Sequence, residues 1–128
     1  MGTPKTVVIV DDSIFMADML SGFFEDKLGF RVVATGRNGI QAIALYKQHR
    51  PDLMTVDLTM PVKDGKTALL EILAEHPEAR ILMVTSRVGP QIVECLKMGA
   101  AGYVEKPLQF ENPRFVEELL ATVRSAIS

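Results

Sequence analysis

Hydrophobic and polar positions along the chain follow two alternating periods. Short β-branched runs, apolar at nearly every position, give way in turn to longer stretches whose apolar residues recur three and four apart. The short runs predict strands over Lys5–Val10, Arg31–Thr35, Leu53–Val56, Ile81–Val84 and Gly102–Val104. The longer stretches predict helices over Ser13–Leu28, Asn38–Gln48, Lys66–Ala74, Pro90–Met98 and Pro113–Ile127. On the first helix, Met16, Met19, Leu20 and Phe23 share one face, as residues turned towards a core do.

The punctuation agrees with the periodicity. Asp12 or Ser13 suits the N-cap of the first helix and Asn38 that of the second, while Pro90 and Pro113 suit a first helical turn. Gly29, Gly99 and the pair His76-Pro77 stand where helices should stop. The first, third and fourth strands are almost continuously apolar, which a strand must be when both faces of its sheet are covered. The expectation is therefore an α/β fold, a parallel sheet between helical layers, built as one domain over residues 1–128.

Composition narrows the function more than the fold. A chain of 128 residues that is 48% hydrophobic can bury a core without disulfides or a structural metal. Fourteen basic against sixteen acidic residues leave no broad positive footprint, so no direct nucleic-acid partner is expected. No segment approaches the roughly 20 apolar residues that span a bilayer, and the polar start is no signal peptide, so the expected location is the cytoplasm and no membrane partner is expected. Met1-Gly2 with Thr6 fits a loose N-myristoylation pattern, but Thr6 is needed to open the first strand. The lone Cys95 reads as a small buried hydrophobe.

In an open parallel sheet, ligands gather at the carboxyl ends of the strands. Here the first strand runs into Asp11-Asp12, the third into Asp57, the fourth into Thr85-Ser86 and the last into Glu105-Lys106-Pro107. Carboxylates placed after apolar strands repel one another unless a cation lies between them. Three carboxylates with backbone carbonyls suit a hard ion, and a half-open site that keeps water suits Mg²⁺ better than Ca²⁺. Lys106 and the Thr85 hydroxyl could join such an ion in holding phosphoryl oxygens, and Asp57 could serve as a carboxylate nucleophile.

These residues carry a resemblance. The runs Val8-Ile9-Val10-Asp11-Asp12-Ser13, Val56-Asp57-Leu58-Thr59-Met60-Pro61 with Asp64-Gly65, Met83-Val84-Thr85-Ser86 and Gly99 to Pro107 fall in the order found in response-regulator receiver domains of bacterial two-component signalling, and the chain resembles their stand-alone, CheY-like members. The resemblance implies a flavodoxin-like doubly wound (βα)5 fold with strand order 2-1-3-4-5. It implies that Asp57 is the phosphoacceptor, charged from a sensor histidine kinase or phosphotransfer protein. Asp12, Asp57 and the backbone carbonyl of Thr59 would hold Mg²⁺, with Asp11 helping through a water. Lys106 would pair with the phosphoryl oxygens. Thr85 would move to the new phosphate and Tyr103 would swing inward, remodelling the face of the fourth helix, last strand and fifth helix that meets a downstream effector. The protein would be no enzyme beyond its own phosphorylation and dephosphorylation.

Some positions depart from the commoner pattern: Ser86 replaces an alanine, Leu108 a phenylalanine, and Gln109–Asn112 lengthen the approach to the last helix. Ala101-Gly102 stands where one large DNA-binding subgroup places acidic residues for dimer salt bridges, which favours a monomer or weak dimer. Competing readings are a receiver-like scaffold that is never phosphorylated, and an aspartyl-phosphate phosphohydrolase. The second needs Asp-x-Asp where this chain has adjacent Asp11-Asp12. A flavin carrier would need a hydroxyl- and Gly-rich phosphate loop where this one is acidic.

Overall fold

The computed structural model describes residues 2–128, so Met1, and with it part of the acylation pattern, lies outside the described residues. Five strands alternate with five helices: β1 (Thr6–Val10), α1 (Ile14–Leu28), β2 (Arg31–Gly36), α2 (Gly39–His49), β3 (Leu53–Asp57), α3 (Gly65–Glu75), β4 (Ile81–Thr85), α4 (Pro90–Met98), β5 (Gly102–Glu105) and α5 (Pro113–Ile127). The strands form one parallel sheet in the order β2-β1-β3-β4-β5. Both the fold class and the strand order are those expected. No helix among the described residues is long and apolar enough to cross a membrane.

Alternation along the central strands divides the core in two. Val8, Val10, Met54, Val56, Ile81 and Met83 pack against Ala42 and Tyr46 of α2, Ala68, Leu69 and Ile72 of α3, and Ile92 and Cys95 of α4. Val7, Ile9, Leu53, Leu82, Val84 and Val104 face the other way, against Ala17, Leu20, Phe23 and Phe24 of α1 and Leu119, Val123 and Ala126 of α5. A sheet covered on both faces leaves no solvated side for polar residues, which is why β3 and β4 are buried at every position. The buried stripe of α1 is Ala17, Leu20, Phe23 and Phe24. Met16 and Met19, expected on the same face, pack against it but are only half-buried.

Caps set the helix boundaries. Ser13, not Asp12, caps α1, its hydroxyl accepting from the Met16 N–H at 3.3 Å; Asn38 caps α2, Asp64 α3 and Asn112 α5. Gly29 and Gly99 end α1 and α4 in the left-handed conformation, where only glycine avoids a steric penalty. Between β5 and α5 the chain is anchored by Phe110, whose ring stacks on Phe23 at 5.3 Å, and by Leu108, which is buried in the same layer.

One buried polar group is left over in the centre of the sheet. The Thr55 hydroxyl on β3 has no hydrogen-bond partner among the described residues, although the residue is 2% exposed. Replacing an unsatisfied buried hydroxyl by a methyl removes a desolvation cost. Thr55→Val is therefore expected to raise stability by about 1 kcal/mol, read as a higher urea midpoint with an unchanged slope. An unchanged or lower midpoint would show that the hydroxyl has a partner.

Candidate functional site

The chain reverses its direction of travel across the sheet between β1 and β3. From β1 it moves outward to β2, then returns to pair β3 on the opposite side of β1. The crevice opened by that switch lies beyond the carboxyl ends of the two strands. Asp11 and Asp12 follow β1 directly, and Asp57 is the last residue of β3.

The three carboxylates converge. Each of Asp11, Asp12 and Asp57 offers an oxygen, and these oxygens lie within 4.8 Å of one another. Asp11 is 1% and Asp57 6% exposed, while Asp12 faces solvent at the lip. Local backbone bonds fix the first of them. The Asp11 N–H donates to the Gly36 carbonyl at 3.0 Å, and its Oδ1 accepts from the Ser13 N–H at 2.9 Å. Its Oδ2 has no hydrogen-bond partner among the described residues.

One cation reaches into this group. Lys106, just past the end of β5, brings Nζ to 3.1 Å from Asp11 Oδ2 and 3.4 Å from Asp57 Oδ2, with only 15% of its side chain exposed. The approach to Asp11 is the shorter one but is not aligned as a hydrogen bond, whereas Lys106 does donate to Asp57. The Lys106-Pro107 peptide bond is cis.

Charge is unbalanced here, and the Asp57 carboxyl registers it. Burial first, then the Asp11 charge, push its pKa from an ordinary 3.8 up to about 6, against the pull of Lys106. Burial alone would lower the Lys106 pKa, but the charges of Asp57 and Asp11 outweigh it and raise it. With all three carboxylates ionised and one ammonium present, two negative charges remain uncompensated in a largely buried crevice. The Asp11 Oδ2, within ion-pair reach of Lys106 but without a hydrogen bond among the described residues, and this donor set of hard oxygens fit a divalent cation of the Mg²⁺ type.

Thr85 and Thr59 stand at the same end of the sheet, Tyr103 lies further back on β5, and the Thr85 hydroxyl is engaged away from the carboxylates. Thr85 ends β4 and is 3% exposed, yet its hydroxyl donates to the Arg87 carbonyl at 2.8 Å and accepts from the Arg87 N–H at 3.1 Å. Thr59 is exposed in the loop after β3. Tyr103 on β5 points out to solvent at 39% exposure and lines a groove with Leu96 of α4 and Phe115 and Leu119 of α5.

Two features of the loop after β3 were not read from the sequence. Gly65 opens α3 so close to the site that a Cβ there would sit 2.2 Å from the Asp57 carbonyl oxygen. Val62 has φ of 69° and is bridged by the Lys63 N–H to Pro61 carbonyl bond at 2.8 Å, a positive-φ γ-turn. The Asp64-Gly65 pair was the available signal for the first; nothing in a valine signals the second.

Away from this crevice, His76 is the C-cap of α3, where the helix was expected to stop, and its side chain is not left in solvent. It is buried against the Tyr46 ring, with centroids 5.0 Å apart, and lies 3.8 Å from Glu75 and from Glu78.

Comparison with known proteins agrees with this geometry. Residues 7–117 match the sequence profile of the response regulator receiver domain. The chain is 45% identical over 108 residues to the chemotaxis protein CheY of Bacillus subtilis, covering 83% of this chain and 88% of that protein. It is 40% identical over 117 residues to CheY of Thermotoga maritima, covering 90% and 94%. Among solved structures, a chain of the CheX–CheY–BeF3–Mg²⁺ complex from Borrelia burgdorferi superposes with a TM-score of 0.89 at 34% identity, over 99% of this chain and 92% of that one.

Proposed function

Since the chain belongs to the response-regulator receiver family, we propose that it works as a phosphorylatable switch of two-component signalling, with Asp57 as the residue that accepts the phosphoryl group. The single observation that carries this reading is the contact of one buried ammonium, Lys106, with two of three converging carboxylates. That is a site with a nucleophile, a fixed positive charge and a place for a divalent ion.

The donor is a phosphohistidine on a sensor histidine kinase or phosphotransfer protein. An Asp57 carboxylate oxygen attacks phosphorus, the O–P bond forms as the P–N bond breaks, and the imidazole nitrogen leaves with the electron pair and takes a proton. Asp11 and Asp12, with Asp57 and the backbone carbonyl of Thr59, would hold Mg²⁺. When bound, the ion offsets the carboxylate charge and attracts the phosphoryl oxygens. Lys106 shifts its ammonium from the carboxylates to those oxygens, a move of short range because its stem is already buried in the crevice. The nucleophile must be ionised, and a carboxyl with a pKa of about 6 is so at neutral pH. Thr85 supplies a hydroxyl to the new phosphate once it leaves Arg87, and Tyr103 turns inward from its exposed position.

On this reading residues 1–128 form one cytoplasmic receiver unit, a monomer or weak dimer. Its output is a change in the groove of α4, β5 and α5 that controls binding of an effector protein. It acts on no substrate but itself. Incubation with acetyl phosphate and Mg²⁺ is expected to add the mass of one phosphoryl group to the intact chain, and omission of Mg²⁺ by EDTA to prevent it. No added mass under either condition would favour the silent scaffold.

A further inference from the structure

Among the described residues, no backbone bond joins the two acidic loops of the crevice directly. Asp11 and Asp12 stand on the loop after β1, while Asp57 ends β3 and Thr59 follows it. A third segment, the turn from β2 into α2 over residues 36–39, connects them. At one end of this turn the Gly36 carbonyl accepts from the Asp11 N–H at 3.0 Å. At the other end the Gly39 N–H donates to the Lys63 carbonyl at 2.8 Å. Among residues 59–63, Lys63 is the one whose backbone is bonded to the backbone of another element, and this is the bond.

The connecting turn is stiff. The Arg37 N–H donates to Gln41 Oε1 at 2.6 Å, and the Asn38 side chain accepts from the Gln41 N–H at 2.9 Å, so the turn and the first turn of α2 hold each other in both directions. Its contact with the loop after β3 is also close. A Cβ on Gly39 would lie 2.5 Å from the Lys63 carbonyl oxygen and 2.9 Å from the Lys63 carbonyl carbon. Gly39 is not among the glycines of positive φ, so close approach of two backbones, and not a left-handed conformation, is what requires glycine here.

We propose that Gly39 is a positioning residue for the divalent ion: by its bond to Lys63 it fixes the loop after β3 relative to Asp11, which the same turn holds through Gly36. This rests on the function proposed above in taking the three carboxylates as a metal site. An ion of the Mg²⁺ type tolerates little departure from its coordination geometry, and its ligands here come from two separate loops. The spacing of those loops therefore sets the affinity, and the turn from β2 into α2 sets the spacing. Gly39 touches neither the ion nor the phosphoryl group; it acts through the backbone of Lys63.

Mg²⁺ titrations of the full chain, followed through its amide resonances, test this. Gly39→Ala is expected to raise the Mg²⁺ dissociation constant about tenfold, the loss that follows when groups supporting metal ligands are displaced. Val123→Ala opens a cavity in the α1–α5 layer, away from residues 36–39, and is expected to lose stability while binding Mg²⁺ as the wild type does. An unchanged constant in Gly39→Ala would overturn the proposal, and so would an equal loss of affinity in Val123→Ala. Should Gly39→Ala not fold, the wild type decides by reciprocity, since a contact that favours the ion must itself be strengthened by it. Its Gly39 amide is then expected to exchange severalfold more slowly with Mg²⁺ than without, beyond any slowing at Val123, and equal slowing at the two would overturn the proposal. A wild type that binds no Mg²⁺ would overturn it together with the metal site of the proposed function, whereas equal binding by wild type and Gly39→Ala would remove the role of Gly39 alone.

Discussion

Asp57→Asn is expected to melt at a higher temperature than the wild type at pH 7.5 in the absence of divalent ions. The direction follows from the raised pKa of this carboxyl, about 6 when folded against an ordinary 3.8. The folded state binds the Asp57 proton more tightly than the unfolded chain does. Stability associated with this group is therefore fully present below pH 4, is lost as the pH rises towards about 6, and is absent at neutral pH. An amide carries no charge to desolvate and does not repel Asp11. The raised pKa of Asp57 corresponds to about 3 kcal/mol, but the amide still has to be buried, so the expected gain is about 2 kcal/mol. Millimolar Mg²⁺ is expected to stabilise the wild type and to do much less for the Asn variant, because one of the three carboxylates is gone. An Asn variant less stable than the wild type without divalent ions would show that Lys106 already compensates the crevice.

Gly65→Ala is the other change with a large effect, in the opposite direction. The added Cβ would meet the Asp57 carbonyl oxygen at 2.2 Å and the Leu58 Cα at 2.9 Å, both backbone atoms that no rotamer change can move. Relief requires α3 to shift away from the end of β3, which breaks the Gly65 N–H to Leu58 carbonyl bond of 2.9 Å. The expected cost is about 3 kcal/mol or more. Since the displaced atoms belong to Asp57 itself, phosphoryl uptake should fall together with stability, and a denaturant titration beside a rate of uptake measures both. Wild-type stability in the Ala variant would mean that the loop after β3 gives way at no cost.

The fold was legible because its strands obey one constraint. Val7 to Val10, Leu53 to Val56 and Ile81 to Val84 are covered on both faces, and burial on both faces admits almost no polar residue. The carboxyl ends of the strands read less well: β2, β3, β4 and β5 continue to Gly36, Asp57, Thr85 and Glu105, each one residue beyond the fading of the pattern, because pairing with a neighbouring strand persists after apolarity stops. The carboxylates and Lys106 were legible as well, since charges set after apolar strands have no packing reason to be there. The convergence of Asp11, Asp12 and Asp57 follows from the strand order.

What could not be read depends on contacts between distant segments or on loop geometry. That Phe110 closes over Phe23, and that Tyr46 covers His76, joins residues from different elements with no local pattern to announce it. That Thr85 spends its hydroxyl on Arg87 is set by the path of the loop after β4. The same residue type at the same spacing would have suited a hydroxyl aimed at the site.

On the function proposed above, the covalent phosphate sits on Asp57. An acyl phosphate is reduced by borohydride to an alcohol, so treatment of the phosphorylated chain converts the modified aspartate to homoserine and marks its position permanently. Peptide mass spectrometry after acetyl phosphate, Mg²⁺ and borohydride is expected to find homoserine at residue 57 alone, and none in a sample prepared with EDTA. Homoserine at residue 11 or 12 with residue 57 untouched, or at no position in a chain that is folded and holds Mg²⁺, would contradict it.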